Sequence, residues 1–147
     1  MKICGIDIQG STVTICIIHM GNEEVKTVEG LKLKFTVSDP SCSNSLRDFT
    51  KSFNEFLVYQ NVEQIVFKEK KTKGRFAGSA NGFRIEAAIQ VSCPCSSVIF
   101  PTVEFNSFSK NKIVEFNANT YNLNQYQESA FYVAHAYAYY QSKKQSD

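Results

Sequence analysis

The sequence predicts a three-layer α/β domain with a mixed β-sheet. Strand-like and helix-like segments follow one another in the order β-β-β-α-β-α-β-α, which is the pattern of a sheet covered by helices. The chain has 147 residues, the size of one domain. Hydrophobic residues make up 43% of it, with 7 glycines and 3 prolines, so a disordered or low-complexity chain is excluded.

The first elements are predicted to be antiparallel strands. Lys2 to Gln9 and Thr12 to Met20 are rich in Ile, Val, Thr and Cys, and Gly10-Ser11 supplies the hairpin turn between them. Leu31 to Val37 alternates apolar and polar residues, which is typical of an edge strand with one wet face.

Helices and buried strands are expected to alternate after this hairpin. An amphipathic helix is predicted over residues 44–60, with Ser43 or Asn44 as its N-cap. Gln64 to Phe67 and Ser97 to Phe100 are short apolar runs, which favours buried strands parallel to the first. The remaining predicted elements are a loop from Lys68 to Gly78, a helix from Ser79 to Val91 packed through Phe83, Ala87, Ala88 and Val91, a loop with a short helix over 102–124, a helix from Gln125 to Lys143, and a disordered tail over 143–147.

Charge and cysteine content narrow the function classes. There are 16 Lys+Arg against 14 Asp+Glu, and a net charge of +2 argues against binding nucleic acid by bulk charge. No apolar run is long enough for a membrane span, and Asp7 interrupts the first apolar run, so no signal peptide is predicted. The five cysteines are an odd number, and Cys93-Pro94-Cys95 is too close for a zinc-binding pair. We therefore expect reduced thiols and a cytoplasmic protein.

Three carboxylates lie where a strand or helix end would expose them. Asp7 interrupts the first strand, Glu69 follows the strand Ile65-Val66-Phe67, and Glu128 opens the last helix. If the strands of Asp7 and Glu69 are parallel neighbours, their carboxylates can share one cation, and oxygen ligands favour Mg²⁺ or Mn²⁺. The alternatives are an ion pair with a lysine or a turn cap for Asp7, a solvated ion pair for Glu69, and a helix-dipole role for Glu128.

Short motifs carry a resemblance to known families. Gly5-Ile6-Asp7-Ile8-Gln9-Gly10 is similar to the first-strand motif of the RNase H-like superfamily, especially the RuvC-type Holliday-junction resolvases. Ile65-Val66-Phe67-Lys68-Glu69 resembles their central-strand glutamate segment, and Gln127-Glu128-Ser129-Ala130-Phe131 resembles the start of their last helix. More closely, nearly the whole chain resembles a small bacterial family known only as a domain of unknown function. The resemblance implies an RNase H-like domain with about five strands and helices on both faces.

This resemblance also implies a metal-dependent phosphodiesterase site. Asp7, Glu69 and Glu128 would hold Mg²⁺ or Mn²⁺ and act as the catalytic residues. Resolvase-type enzymes carry a fourth acidic or histidine ligand one helical turn after the third, where this chain has Phe131. His135, two turns after Glu128, is the candidate accessory residue, and its alternative is a packing role.

The loop that follows the predicted strand Gln64 to Phe67 is the part of the sequence that most strongly indicates nucleic-acid binding. Lys68, Lys70, Lys71, Lys73 and Arg75 place five cations in eight residues. Lys70, Lys71, Lys73 and Arg75 are the predicted phosphate-binding residues, because such a cluster neutralises a nucleic-acid backbone without reading its sequence. The alternative is a solvated loop that keeps the protein soluble.

Two functions from different classes follow from these patterns. The first is a Mg²⁺-dependent nuclease, or a nucleic-acid-binding protein derived from one, that acts on structured DNA or RNA. The second is a non-catalytic interaction module that keeps the fold. The last helix carries Tyr132, Tyr137, Tyr139 and Tyr140, which predict a packing surface or a homodimer contact.

Overall fold

One mixed β-sheet with helices on both faces organises the protein. The computed structural model describes residues 1–21, 24–27, 34–74, 78–121 and 123–146. Its strands are β1 (Lys2–Gln9), β2 (Thr12–Gly21), β3 (Glu24–Thr27), β4 (Lys34–Thr36), β5 (Gln64–Lys68) and β6 (Ser96–Phe100). Its helices are α1 (Ser43–Tyr59), α2 (Ala80–Ser92), α3 (Thr102–Lys110), α4 (Ala118–Tyr121) and α5 (Glu128–Ser146), and a 3-10 turn at Gln125–Gln127 precedes α5.

The strand order confirms the predicted mixed sheet. Across the sheet the order is β3-β2-β1-β5-β6, and β4 pairs with the other end of β2. Strands β1 to β4 pair antiparallel, whereas β5 runs parallel to both β1 and β6. The third strand predicted from the sequence is described only as Lys34–Thr36, since residues 31–33 lie outside the described part, and β3 was not predicted. The carboxyl ends of β1, β5 and β6 consequently share one edge of the sheet.

The strands are buried on both faces, which gives two apolar cores. On one face Ile6, Ile65 and Phe67 pack with residues of α1 and α2. On the other face Ile3 and Val66 pack with residues of α3 and α5. Because side chains alternate across a strand, these assignments fix which face each later residue of β1 and β5 occupies.

Two details of the predicted helices are wrong. The N-cap of α1 is Cys42, which makes no side-chain capping hydrogen bond. In α2 the buried residues include Ile85 and Ile89, whereas Val91 is 87% exposed. The same helical spacing fits both stripes, but tertiary packing turns α2 so that Gly82 faces Ile8 of the sheet.

The C-terminal part contains more helix than expected. Over 102–124 the sequence predicted a loop with one short helix, whereas the structure has two helices there, α3 and α4, joined by a loop. Phe105 and Phe108 of α3 are buried in the core that α5 completes, and this burial stabilises α3. Helix α5 continues through Ser146, so residues 143–146, predicted as tail, are helical. No helix in the described ranges is long and apolar enough to cross a membrane.

The tyrosines of α5 contact other parts of the same chain. Tyr139 packs against Phe108, with ring centroids 5.7 Å apart, and Tyr140 packs against Phe100 at 5.9 Å. The hydroxyl of Tyr132 accepts a hydrogen bond from the backbone N–H of Phe116. These contacts fit the packing interpretation, and the homodimer stays a prediction.

Candidate functional site

A cavity opens at the sheet edge where β1 and β5 end. Its volume is about 620 Å³, within the usual range for ligand pockets. It combines two carboxylates with three lysines and the start of α3. The lining residues are Asp7, Ile8, Gln9, Gly10, Lys68, Glu69, Lys70, Lys71, Gly78, Ser79, Thr102, Phe105 and Asn106.

Asp7 is the enclosed carboxylate of this cavity. It is 9% exposed, and its Oδ2 accepts a hydrogen bond of 3.2 Å from Gln9 Nε2. Burial raises the pKa of Asp7 above its ordinary value, and the charge of Lys68, the Gln9 amide and the charge of Lys70 oppose this rise only in part. A carboxylate in such a place requires a nearby positive charge, because an isolated buried charge is costly.

Gly5 explains how Asp7 is positioned. A Cβ atom at Gly5 would lie 2.2 Å from the carbonyl oxygen of Ala130 and 2.9 Å from the Cβ of Ala134. Only glycine therefore allows α5 to approach β1 this closely. Asp7 lies two residues further along the same strand face, beside the first turn of α5.

Lys68 is the neighbour of Asp7 on the adjacent strand. Ile6 pairs with Phe67 in the parallel register, so Asp7 and Lys68 follow side by side. The Lys68 ammonium donates a 3.4 Å hydrogen bond to Ser129 Oγ and lies 5.0 Å from the centroid of the Phe105 ring. It therefore stands between β5, α3 and α5, on the side of the sheet to which Asp7 points.

Glu69 lies in the same cavity but is bound to α3. Its Oε1 accepts hydrogen bonds from the backbone N–H of Thr102 at 3.3 Å and from Thr102 Oγ1 at 2.8 Å. Its own N–H donates to the carbonyl of Phe100. Glu69 thus ties the end of β5 to the first turn of α3, where a negative charge complements the helix dipole.

Glu128 is the first residue of α5 and is exposed. Its Oε2 accepts a 3.0 Å hydrogen bond from Gln125 Nε2, and it is not among the residues that line the cavity. The neighbouring Gln127 is fully buried and donates to the carbonyl of Ile15, which fixes the start of α5 against β2.

In their present side-chain conformations, Asp7, Glu69 and Glu128 do not form a metal site. Asp7 and Glu69 line one cavity, but the contacts of Glu69 and Glu128 point to Thr102 and Gln125. Within the described ranges, no group of three or more His, Cys, Asp or Glu side chains is placed to hold a metal ion. The carboxylate oxygens of these residues are therefore not arranged to coordinate a divalent cation. A metal centre formed by Asp7, Glu69 and Glu128 stays a prediction.

The predicted phosphate-binding residues divide into three cases. Lys70 forms an ion pair with the buried Glu86 and lies 4.9 Å from the Phe83 ring centroid. Lys71 lines this cavity and also a second one of about 560 Å³, which Lys73 lines as well. Arg75 lies outside the described residues.

His135 lies in the core rather than in the cavity. It is 4% exposed, its ring centroid is 4.2 Å from that of Phe131, and its Nε2 has no hydrogen-bond partner among the described residues. Burial lowers its pKa to about 4. These surroundings are those of a packing residue.

Three residues of the site, Lys68, Ser129 and Thr102, were not predicted as site residues from the sequence. In the sequence, Lys68 looks like the first residue of a basic loop. Only the alternation of burial along β5 shows on which face of the sheet its side chain lies. Val66 belongs to the core on the α5 side, so Lys68, two residues later, shares that face.

Comparisons with known proteins agree with this architecture. The family model described as "Protein of unknown function (DUF3010)" matches residues 1–138. A search of curated proteins finds no match to the sequence.

Solved structures are similar over nearly the whole chain. RuvC of Thermus thermophilus has a TM-score of 0.72 at 12% identity, with 98% of this chain and 97% of that chain covered. The Fowlpox virus resolvase, in complex with Holliday junction DNA, has a TM-score of 0.57 at 15% identity, with 93% and 96% covered. The protein therefore has the RNase H-like α/β fold that RuvC has, and by its sequence the chain belongs to the DUF3010 family.

Proposed function

We propose that this protein binds nucleic acid through phosphate contacts in the cavity at the ends of β1 and β5, as a binder derived from a nuclease. The observation that carries this proposal is that Lys68 and Lys71 line one cavity, next to Lys70, whose charge is paired with Glu86. Lysines placed in this way neutralise backbone phosphates and give affinity that depends on salt rather than on sequence.

The relatives indicate which nucleic acid to test first. The T. thermophilus RuvC structure is also known in complex with a Holliday junction substrate, and the Fowlpox virus resolvase in complex with Holliday junction DNA. We therefore propose structured DNA as the first substrate class and structured RNA as the second.

Free cysteines fit the cytoplasm as the place of action.

The experiment is a binding titration followed by fluorescence anisotropy. The probes are a labelled four-way DNA junction, a linear duplex of the same base composition and an RNA hairpin, each measured over a series of salt concentrations. We expect the tightest binding for the junction and a linear fall of log K with log salt concentration. Binding of none of the three probes at low salt would contradict the proposal.

A Mg²⁺-dependent nuclease is the second candidate, because Asp7 and Glu69 line the same cavity. In that case Asp7, Glu69 and Glu128 would have to come together around Mg²⁺ or Mn²⁺, which would supply an activated water. The test is cleavage of the four-way junction with either metal by the unmodified protein, Asp7→Asn and the exposed control Asp48→Asn. Cleavage that Asp7→Asn abolishes and Asp48→Asn retains would establish this candidate.

A non-catalytic interaction module differs from the nucleic-acid binder and from the nuclease in that its partner is a protein. If α5 forms a homodimer contact, light scattering at increasing protein concentration should show twice the monomer mass. A monomer at all concentrations, together with DNA binding, would leave nucleic acid as the partner.

A further inference from the structure

The Asp7–Lys68 pair is the most informative feature of the cavity. The register of β1 and β5 places Asp7 beside Lys68, and both side chains belong to the face that α3 and α5 cover. The positive charge of Lys68 lowers the pKa of Asp7, against the rise that burial causes. The Lys68 ammonium therefore supplies part of the positive charge that the enclosed carboxylate needs.

The position of this ammonium is held by α5 and α3. Ser129 accepts a hydrogen bond from Lys68, and the ring of Phe105 lies within cation–π distance. An ammonium has three N–H donors, and Ser129 takes one of them. Lys68 lines the cavity, so it can present a remaining donor to an anion that enters.

The other carboxylates nearby form their hydrogen bonds with neutral groups and not with Lys68. Glu69 is hydrogen-bonded to the first turn of α3, and Glu128 to Gln125. On the face that α3 and α5 cover, the cavity thus holds the Asp7 carboxylate beside the Lys68 ammonium, whereas a divalent cation would need several carboxylate oxygens around one point.

We propose that Lys68 takes the place of a divalent cation: its ammonium balances Asp7 and contacts a phosphate of the bound nucleic acid, so that binding needs no metal ion. This inference rests on the proposed nucleic-acid binding and adds the residue and the metal independence. Lys68 is a binding residue in this account, and Ser129 is the residue that positions it.

The first test measures affinity for the labelled four-way junction in EDTA and in Mg²⁺. The unmodified protein should bind equally in both. Lys68→Gln should lower the affinity by about tenfold, the size of one lost charge-assisted hydrogen bond. Lys51→Gln, an exposed lysine of α1, should change it little. Binding that requires Mg²⁺, or Lys68→Gln binding like the unmodified protein, would overturn the inference.

The second test follows metal binding without nucleic acid. We expect calorimetry with Mn²⁺ to show no binding to the unmodified protein and a new site in Lys68→Glu, which the further change Asp7→Asn removes. Mn²⁺ binding by the unmodified protein that Asp7→Asn abolishes would refute the replacement of the cation. Thermal unfolding of each variant checks that it is folded. If Lys68→Glu does not fold, Lys68→Gln takes its place in the titration, because it retains Asp7 and lacks the ammonium.

The two tests separate the two proposals. If the unmodified protein binds no nucleic acid, the proposed function and the phosphate contact of Lys68 both fail. The Mn²⁺ titration still decides whether Lys68 excludes a metal ion from Asp7.

Discussion

Lys70 and Glu86 form an ion pair that is almost completely enclosed between the end of β5 and α2. Their side chains are only 11% and 6% exposed, and the second carboxylate oxygen of Glu86 has no hydrogen-bond partner among the described residues. Packing of the Lys70 side chain against Gly78 completes the enclosure.

Removing one partner of this pair should be strongly destabilising. Glu86→Ala leaves a buried ammonium uncompensated, and we expect a loss of about 3–5 kcal/mol in the free energy of unfolding, measured by urea denaturation. The double variant Lys70→Met/Glu86→Leu should recover most of this loss, because apolar side chains fill the same space. Equal losses in the single and the double variant would show that packing, not charge, dominates.

Gly5→Ala should destabilise the protein by about 3 kcal/mol, because the new methyl group would overlap the backbone of Ala130. Urea denaturation measures the change. Gly21→Ala is the matched control, since a Cβ at Gly21 has no atom of the described residues within 4 Å, and its effect should stay within about 0.5 kcal/mol. Similar values for the two variants would mean that α5 can move away from β1 without cost.

His135 should make stability depend on pH. Its pKa falls from an ordinary value of 6.5 to about 4 on folding, so between these values the unfolded chain holds a proton that the folded chain lacks. Stability is therefore full above pH 6.5 and decreases as the pH falls toward 4, by up to about 3 kcal/mol. Urea denaturation at several pH values should show this slope in the unmodified protein and in the exposed control His19→Gln. His135→Phe should lack it, and an unchanged slope in that variant would assign it to another group.

Lys71 and Lys73 should contribute to binding without contributing to specificity. The double variant Lys71→Gln/Lys73→Gln should weaken binding to junction and duplex alike, and should reduce the slope of log K against log salt by about one for each phosphate that is no longer neutralised. The control Lys51→Gln/Lys144→Gln removes the same charge from α1 and from the far end of α5. A slope that both double variants lower equally would indicate binding by net charge alone.

The sequence was sufficient to predict the mixed sheet except for β3, because hairpin and buried-strand patterns depend on neighbouring residues. The short helix expected within 102–124 could not be placed, because Phe105 and Phe108 of α3 stand in a polar segment and their helical spacing of three is a weak signal. The packed side of α2 was misassigned because two stripes fit the same period, and contacts with the sheet decide between them.

In the candidate site, too, local sequence patterns do not show which way a side chain points. Asp7 could be selected because a charge interrupts an apolar strand. The choice between Lys68 and Glu69 depends on which residue ends β5 and on which face it lies, since consecutive strand residues point in opposite directions. That information comes from the pairing of β5 with β1, which no local pattern contains.

The contact of Gly5 with Ala130 and Ala134 has a consequence for how the protein is made. Strand β1 is synthesised before α5, and the face that carries Ile3 and Asp7 is covered only after α5 has been synthesised. Until then the nascent chain exposes an apolar sheet face, a state that favours aggregation and engages chaperones. Contacts between such distant parts of a chain also slow folding, so we expect the α1/α2 side to consolidate during translation and the α5 side only after it.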